Sequence, residues 1–391
     1  MSTLCFVTGT RAEFGLLLPL MQLIREDARF QLRLVVTGAH LSPEFGLTVR
    51  EIEESSIPID ERIEIVLSSD SAVGISKSMG LALIGLAEAY ARLKPDMVVL
   101  LGDRYEAFCA AAAAVVARLP IAHLHGGELT EGAVDDVMRH AITKMSYLHF
   151  TATERYRQRV IQLGEDPARV HTVGAIGLDG LSRMVFLSRQ ELERRLGIRF
   201  RQRNLLVTFH PPTLDAEGVQ EQMDALLAEL ELLRDTVLIF TKANADAGGR
   251  AVNAAISSFA AGHRESAYFF ESLGRQAYLS VMKEVDGVVG NSSSGIIEAP
   301  SLGVGTVNIG DRQRGRVTAE STICCDTRRA DIQAALRQLY SPAFRERLPH
   351  THNPYGDGTA ARGILAVLRK FQIPPAPVKQ FYDFPEAGAR R

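Results

Sequence analysis

The sequence lacks the features that mark several large classes of protein. Cysteine is scarce: there are 4 in 391 residues, at positions 5, 109, 324 and 325, with no C-x-x-C pair and no nearby histidine at metal-ligand spacing. That excludes a disulfide framework or a zinc module and predicts a reduced protein of the cytoplasm. Charge of one sign is missing too. With 44 Lys and Arg against 46 Asp and Glu the formal net charge is −2, so no excess field points to nucleic acid or a membrane surface. Basic groups such as Arg312, Arg314 and Arg316 are then local features, and a small anionic ligand suits the chain better than a polyanion. The longest apolar stretch, 109–117, is alanine-rich and too short to span a bilayer. The opening MSTLCFVTGTRAEFG has no basic leader before its short apolar run, which reads as a first β-strand and not as a signal peptide. There is no G-x-G-x-x-G fingerprint, which disfavours a dinucleotide, and no short-period repeat or low-complexity segment.

What is present is ordinary globular composition, 46% hydrophobic and 23% charged, in a chain too long for one common core. Short β-branched or apolar runs at 4–8, 32–37, 97–101, 121–125 and 149–152 alternate with helical patterns at 16–25, 105–118 and 154–163. A second cycle follows a polar stretch at 188–203, with strand candidates at 204–209, 236–241, 268–270, 287–290 and 306–309 and helices at 218–233 and 275–284. The stretch holding Cys324 and Cys325 also reads as a strand. Alternation of this kind predicts parallel sheets covered on both faces. The expected class is α/β, with two Rossmann-like, doubly wound domains facing a cleft. The expected division is 1–185, 186–370 and a C-terminal tail at 371–391 that packs on a domain surface.

In such sheets ligands bind beyond the carboxyl ends of the strands, so the residues there are the candidates. Gly9, Thr10 and Arg11 open the first helix, as a plain turn or as an anion site at a helix N-terminus. Asp103, in LGDRYE, is placed for chemistry, for a loop-fixing ion pair or as a helix cap. The run His123-Leu124-His125-Gly126-Gly127-Glu128, then Asp135, Asp136 and Arg139, gathers carboxylates whose clustering and burial can poise an acid against a base. His123 and His125, two apart on a strand, share a face and with a carboxylate could be read as metal ligands, but no convincing third ligand completes the set. In the second cycle His210 ends the first strand and Asn244 follows the second. Gly290 to Gly295 places Ser292, Ser293 and Ser294 at a helix start, a phosphate cradle without a Walker lysine. Glu298 lies one turn on, able to accept hydrogen bonds from both ribose hydroxyls, and Arg312 belongs to a basic rim.

Taken together, GTRAEFG at 9–15, LGDRYEAF at 101–108, HLHGGE at 123–128, DDVMRHAITKMSYLH at 135–149, FHP at 209–211, NADAG at 244–248, GNSSSGIIEAPSLG at 290–303 and NIGDRQRGR at 308–316 resemble the UDP-N-acetylglucosamine 2-epimerase family. The resemblance is to its hydrolysing branch, which includes UDP-N,N'-diacetylbacillosamine 2-epimerases, and it spans nearly the whole chain in order. It implies a GT-B-like fold, a homodimer or tetramer, no metal and no other cofactor. The implied reaction expels UDP from a UDP-2-acetamido sugar through a 2-acetamidoglucal, which adds water to give the manno sugar. By motif match the catalytic set is Asp103, Glu128, Asp135 and His210. The substrate-binding set is Gly9, Arg11, His125, Arg139, Asn244, Ser292, Ser293, Ser294, Glu298 and Arg312. Relatives often read HIE or HVE where this chain has His123-Leu124-His125, so Glu128 is the candidate substitute for their glutamate. The HGGE and RHAITK blocks argue against the non-hydrolysing branch. A glycosyltransferase would need an acceptor site, and a non-catalytic nucleotide-sugar sensor would have little use for so many carboxylates.

Overall fold

The structure is a computed structural model that describes residues 1–67, 69, 71–130, 134–211, 218–243, 249–375 and 377–384. The chain divides into two compact units. The first has strands β1 (Ser2–Thr8), β2 (Phe30–Thr37), β3 (Glu61–Ile63), β4 (Met97–Leu101), β5 (Ile121–Leu124), β6 (Leu148–Thr151) and β7 (Val170–Thr172). They form one sheet in the order β3-β2-β1-β4-β5-β6-β7, every pair parallel. The order reverses between β1 and β4, which makes a topological switch point beside their carboxyl ends. Helices α1 (Arg11–Glu26), α2 (Val49–Glu54), α3 (Ala72–Leu93), α4 (Tyr105–Val116), α5 (Val134–Met145) and α6 (Glu154–Gln162) connect them.

The second unit has β8 (Arg203–Thr208), β9 (Thr236–Thr241), β10 (Ala267–Phe270), β11 (Gly287–Gly290), β12 (Gly305–Ile309) and β13 (Thr322–Cys325). They lie parallel in the order β10-β9-β8-β11-β12-β13, with the switch between β8 and β11. Its helices are α7 (Arg189–Leu196), α8 (Val219–Glu231), α9 (Gly249–Gly262), α10 (Gly274–Glu284), α11 (Ser294–Ile297), α12 (Arg329–Leu339) and α13 (Pro342–Arg347). The α/β, doubly wound class expected from the strand–helix alternation is therefore present in both units.

The division differs from the expected 1–185 and 186–370. The first unit runs through Asp179, gives up 129–134 to the second, and takes back everything from Gly358. Packing explains the return. Helix α14 (Ala360–Leu368) buries Ala360, Ala361, Ile364, Leu365 and Leu368 in the same core as Leu17, Leu20 and Ile24 of α1. Its first turn is capped by Asp179, whose Oδ1 and Oδ2 accept from the Ala360 and Ala361 N–H groups at 2.9 and 2.7 Å. Burying each aliphatic side chain is worth about 1.5–3 kcal/mol, so one amphipathic helix outweighs sequence distance. The tail beyond α14 packs on the first unit as well, where Lys379 Nζ donates to the Ser146 carbonyl and to buried Glu165, each at 2.8 Å.

Candidate active site

In the first unit the chemistry collects at the carboxyl ends of β1, β4 and β5. After β4, Gly102 turns the chain at φ 79° and presents Asp103, whose Oδ2 accepts from Nη2 of Arg139 on α5. Arg139 is buried, and its Nη1 lies 3.7 Å from Asp136. The charge-assisted hydrogen bond from this guanidinium fixes the orientation of the Asp103 carboxyl. Asp135 sits half-buried in the first turn of α5, close enough for its charge to act on Arg104.

Strand β5 stops at Leu124, so the two imidazoles beyond and within it part company. His123 is fully buried, its Nε2 2.7 Å from the Gly102 carbonyl and its Nδ1 3.2 Å from Thr143 Oγ1. Burial holds it neutral, its pKa lowered to about 3. Both ring nitrogens serve the fold, and the expected shared face with His125 does not form. His125 takes a left-handed backbone, φ 65°, and places Nδ1 2.7 Å from Oε1 of buried Glu128. Gly126 and Gly127 make that geometry possible: Gly127 has φ 78°, and a Cβ there would collide with the Tyr156 carbonyl.

At the end of β1 the expected anion site is already filled from within. Glu13 Oε2 accepts from Gly9 N–H at 2.7 Å and Thr10 N–H at 3.1 Å, closing a capping box with the Thr10 hydroxyl. What Gly9 supplies is space, since a Cβ there would lie 2.9 Å from Cγ of buried Glu106. Burial, and after it the charge of Glu106, raises the Glu13 pKa. Arg104 answers the pair through Nε to Glu106 Oε2 at 3.2 Å. Arg11 reaches Glu51 at 2.9 Å on the surface of the same unit.

In the second unit the groups at the carboxyl ends of β8, β11 and β12 are amides, hydroxyls and cations. Gly290 is required at φ 131°, because a Cβ there would strike the Thr208 carbonyl. Asn291 then ties the ends together. Its Oδ1 accepts from His210 N–H at 2.7 Å and its Nδ2 donates to the His210 carbonyl at 2.8 Å. Its own carbonyl receives Arg312 Nη1 at 3.2 Å and Gln313 Nε2 at 2.8 Å. Burial, and after it the Arg312 charge, lowers the His210 pKa to about 3, so this histidine is a neutral hydrogen-bonding group.

Ser292, Ser293 and Ser294 follow, but the helix they open is only four residues long, so three hydroxyls on a tight loop are the feature rather than a strong dipole. The Tyr278 hydroxyl lies among Thr208, Ser292 and Ser294. Glu298 has a buried Oε2 with no hydrogen-bond partner among the described residues. Burial pushes its pKa up to about 7 against the opposing charges of Arg275 and Arg316. Arg316 also donates to the Leu129 carbonyl at 3.3 Å and the Thr130 hydroxyl at 3.4 Å. Asn244 lies outside the described residues. The sequence reading missed Glu13, Glu106 and Tyr278. The spacing of Thr10 and Glu13 is a capping-box signal that would have found the first.

Two parallel doubly wound sheets, with acids at the strand ends of one and hydroxyls, amides and guanidinium groups at those of the other, make this an α/β protein of the GT-B-like class. Solved structures agree on the fold. A UDP-GlcNAc 2-epimerase from Neisseria meningitidis, in a crystal structure bound to UDP-GlcNAc, superposes with a TM-score of 0.82 at 18% identity, covering 94% of this chain and 100% of that one. A crystal structure described as a putative UDP-N-acetylglucosamine 2-epimerase from Listeria monocytogenes gives 0.81 at 21% identity, covering 97% and 99%. The chain belongs to the UDP-N-acetylglucosamine 2-epimerase family, which it matches over residues 22–369. It is 42% identical to the GDP/UDP-N,N'-diacetylbacillosamine 2-epimerase (hydrolyzing) of Campylobacter jejuni, over 88% of each chain. It is 36% identical to polysialic acid biosynthesis protein P7 of Escherichia coli, over 99% of this chain and 98% of that one. With the UDP-N,N'-diacetylbacillosamine 2-epimerase (hydrolyzing) of Legionella pneumophila it shares 32% over 94% and 96%.

Proposed function

We propose that this chain is a hydrolysing 2-epimerase that converts a UDP-2-acetamido sugar and water into UDP and the free manno-configured amino sugar. The observation that carries the reading is Asp103, a carboxylate fixed by buried Arg139 at the carboxyl end of a central strand in a chain 42% identical to an enzyme of that name. The C2 proton is weakly acidic, so its removal needs a placed base and a stabilised leaving group. Asp103, Asp135 and Glu128 do the proton work, and Arg139 positions Asp103. One carboxylate takes the C2 proton, the C1–O bond breaks, and its electron pair leaves on the diphosphate of UDP. Water then adds across the 2-acetamidoglucal, hydroxide to C1 and a proton to C2 from the opposite face. Atoms balance without a redox step.

Ser292, Ser293, Ser294, Arg312 and neutral His210 receive the diphosphate, where each well-placed donor is worth about 3–4 kcal/mol in comparable sites. Glu298 accepts from the ribose hydroxyls. His125 orients the sugar and is itself held by Glu128. The names of the Campylobacter and Legionella relatives favour UDP-N,N'-diacetylbacillosamine, whose product feeds legionaminic acid synthesis. The E. coli relative favours UDP-N-acetylglucosamine, whose product feeds sialic acid synthesis. The chain works in the cytoplasm as a homodimer or tetramer.

The test is an NMR time course in D2O with each UDP-sugar offered separately. UDP release with a manno product deuterated at C2 is the expected result. Epimerisation with UDP still attached would move the chain to the non-hydrolysing branch. Binding without any change in the sugar would contradict the enzyme reading and favour a sensor.

A further inference from the structure

We propose that Lys379 is a positioning residue for the reaction: carried by the C-terminal tail, its ammonium fixes the carboxyl end of α5 and so holds Arg139 on Asp103. The inference rests on the epimerase reading above and adds to it a residue that acts through Arg139.

Helix α5 has little apolar anchorage. Its buried residues are Arg139, Ile142 and Thr143, with a single aliphatic side chain among them, while Val134 and Val137 are exposed. A helix docks mainly through its apolar face, so one this poorly supplied is placed by its polar contacts. In its middle Arg139 Nη2 donates to Asp103 Oδ2. A turn further on Thr143 Oγ1 lies 3.2 Å from Nδ1 of His123, whose Nε2 is on the Gly102 carbonyl. Both contacts reach the loop that presents Asp103, and neither serves the carbonyls of the last turn.

The last turn of an α-helix leaves its carbonyls without intrahelical donors. Here Ser146 serves two of them, Oγ donating to the Ile142 carbonyl at 2.7 Å and N–H to the Thr143 carbonyl at 3.1 Å. The Lys144 carbonyl takes Nζ of Lys379, which also donates to the Ser146 carbonyl at 2.8 Å. This donor comes from 235 positions along the chain, and its positive charge faces the negative end of the helix dipole.

Lys379 is itself held in place. Fully buried Glu165 accepts through Oε1 from Lys379 Nζ at 2.8 Å and from Lys144 Nζ at 2.9 Å, and its Oε2 lies 3.0 Å from Nε2 of buried His149 on β6. Burial works to raise the Glu165 pKa, but the hydrogen bonds from His149, Lys379 and Lys144 outweigh it and lower the pKa to about 2. Adhesion alone would not need such a cluster. The tail already adheres through Tyr382, packed on Val160, Ile161 and Val170 with its N–H on the Gly164 carbonyl at 2.9 Å. Phe381 adds a ring 4.5 Å from Lys144 Nζ. Desolvating an ammonium is costly, and what Lys379 adds to that adhesion is a fixed donor geometry at the end of α5.

Helix α5 is short and stiff, and Arg139 stands about 7.5 Å along its axis from Lys144. A shift of the helix end therefore moves Arg139, and Asp135 one turn before it, relative to β4. Misplacing a reacting group by about 1 Å can cost on the order of 100-fold in rate. The whole path lies in the first unit, apart from the groups proposed to receive UDP.

Turnover per UDP-binding site tests this on the full chain, with UDP release as the assay and the calorimetric stoichiometry of UDP as the count of sites. Lys379→Met should lower turnover per site at least tenfold, with UDP affinity and KM within about threefold of wild type. Lys379→Arg, which keeps the charge, should recover most of the loss. Leu365→Ala loosens the same unit away from α5 and, assayed below its melt, should stay within about twofold of wild type per site. Wild-type turnover per site in Lys379→Met would overturn the inference and leave the epimerase reading standing. Equal losses in Lys379→Met and Leu365→Ala would also overturn it, reducing Lys379 to support of the fold, and so would Lys379→Arg no better than Lys379→Met. A wild type that releases no UDP from either UDP-sugar would overturn the epimerase reading and the inference with it.

Discussion

The two units present the same architecture at their switch points and opposite chemistry. At the ends of β1, β4 and β5 the first unit gathers Glu13, Asp103, Glu106 and Glu128, with guanidinium groups of Arg104 and Arg139 set against them. At the ends of β8, β11 and β12 the second gathers hydroxyls, the Asn291 amide and Arg312, with the buried carboxyl of Glu298 beside them among the described residues. A doubly wound sheet specifies where ligands meet the protein and leaves open which chemistry it offers. The proposed function assigns proton transfer to the first unit and the anionic nucleotide to the second.

That contrast can be broken or sharpened by substitution. The largest effect is expected at Asp103. Asp103→Asn should cut turnover by about 10²–10⁴-fold, the usual worth of a positioned acid or base, in an assay of UDP release. A variant that retains a tenth of wild-type turnover would remove Asp103 from the proton work. Next in size is Leu365→Ala. Leu365 is buried in the core that α14 shares with α1, and its truncation should cost about 2–4 kcal/mol. The loss should appear in the unfolding of the first unit, with UDP affinity unchanged. An unchanged melt would show that α14 is not integral to that core. Arg312→Ala removes a charge-assisted donor and should weaken UDP binding by about 1.5–3 kcal/mol.

The remaining effect is one the two units share. His123 in the first and His210 in the second are each held neutral, with pKa lowered to about 3. On unfolding each regains a pKa near 6.5, so the unfolded chain binds more protons between those limits. Stability is then full above pH 6.5 and falls as the pH drops toward 3, by up to about 1.4 kcal/mol per pH unit for each imidazole. Thermal melts at pH 7.5, 6 and 5 should descend in that order. His210→Asn should flatten the trend in the second unit alone.

The sequence disclosed more of the frame than of the contacts. Central strands such as β4 and β9 were legible to the residue because they are continuous apolar runs buried on both faces. Edge strands β3 and β7, three residues each, carry no such signal: Glu-Arg-Ile and Val-His-Thr are half polar because only one side needs cover. The return of α14 to the first unit was invisible, since its apolar stripe says that it packs but not on what. At the site, positions were readable and partners were not. Arg139 was placed with the substrate and is engaged by Asp103, because an ion pair across 36 positions of chain depends on how α5 lies against β4. Gly9 reads in the sequence as a plain turn or an anion site, and in the structure Glu13, a residue of its own capping box, takes that hydrogen bond.

The division of labour between the two units is tested most directly by titrating UDP calorimetrically into Asp103→Asn and Arg312→Ala side by side. The expected result is wild-type affinity for the first and a loss of about tenfold or more for the second. Equal losses in both, or a loss confined to Asp103→Asn, would contradict the assignment of proton transfer to one unit and nucleotide binding to the other.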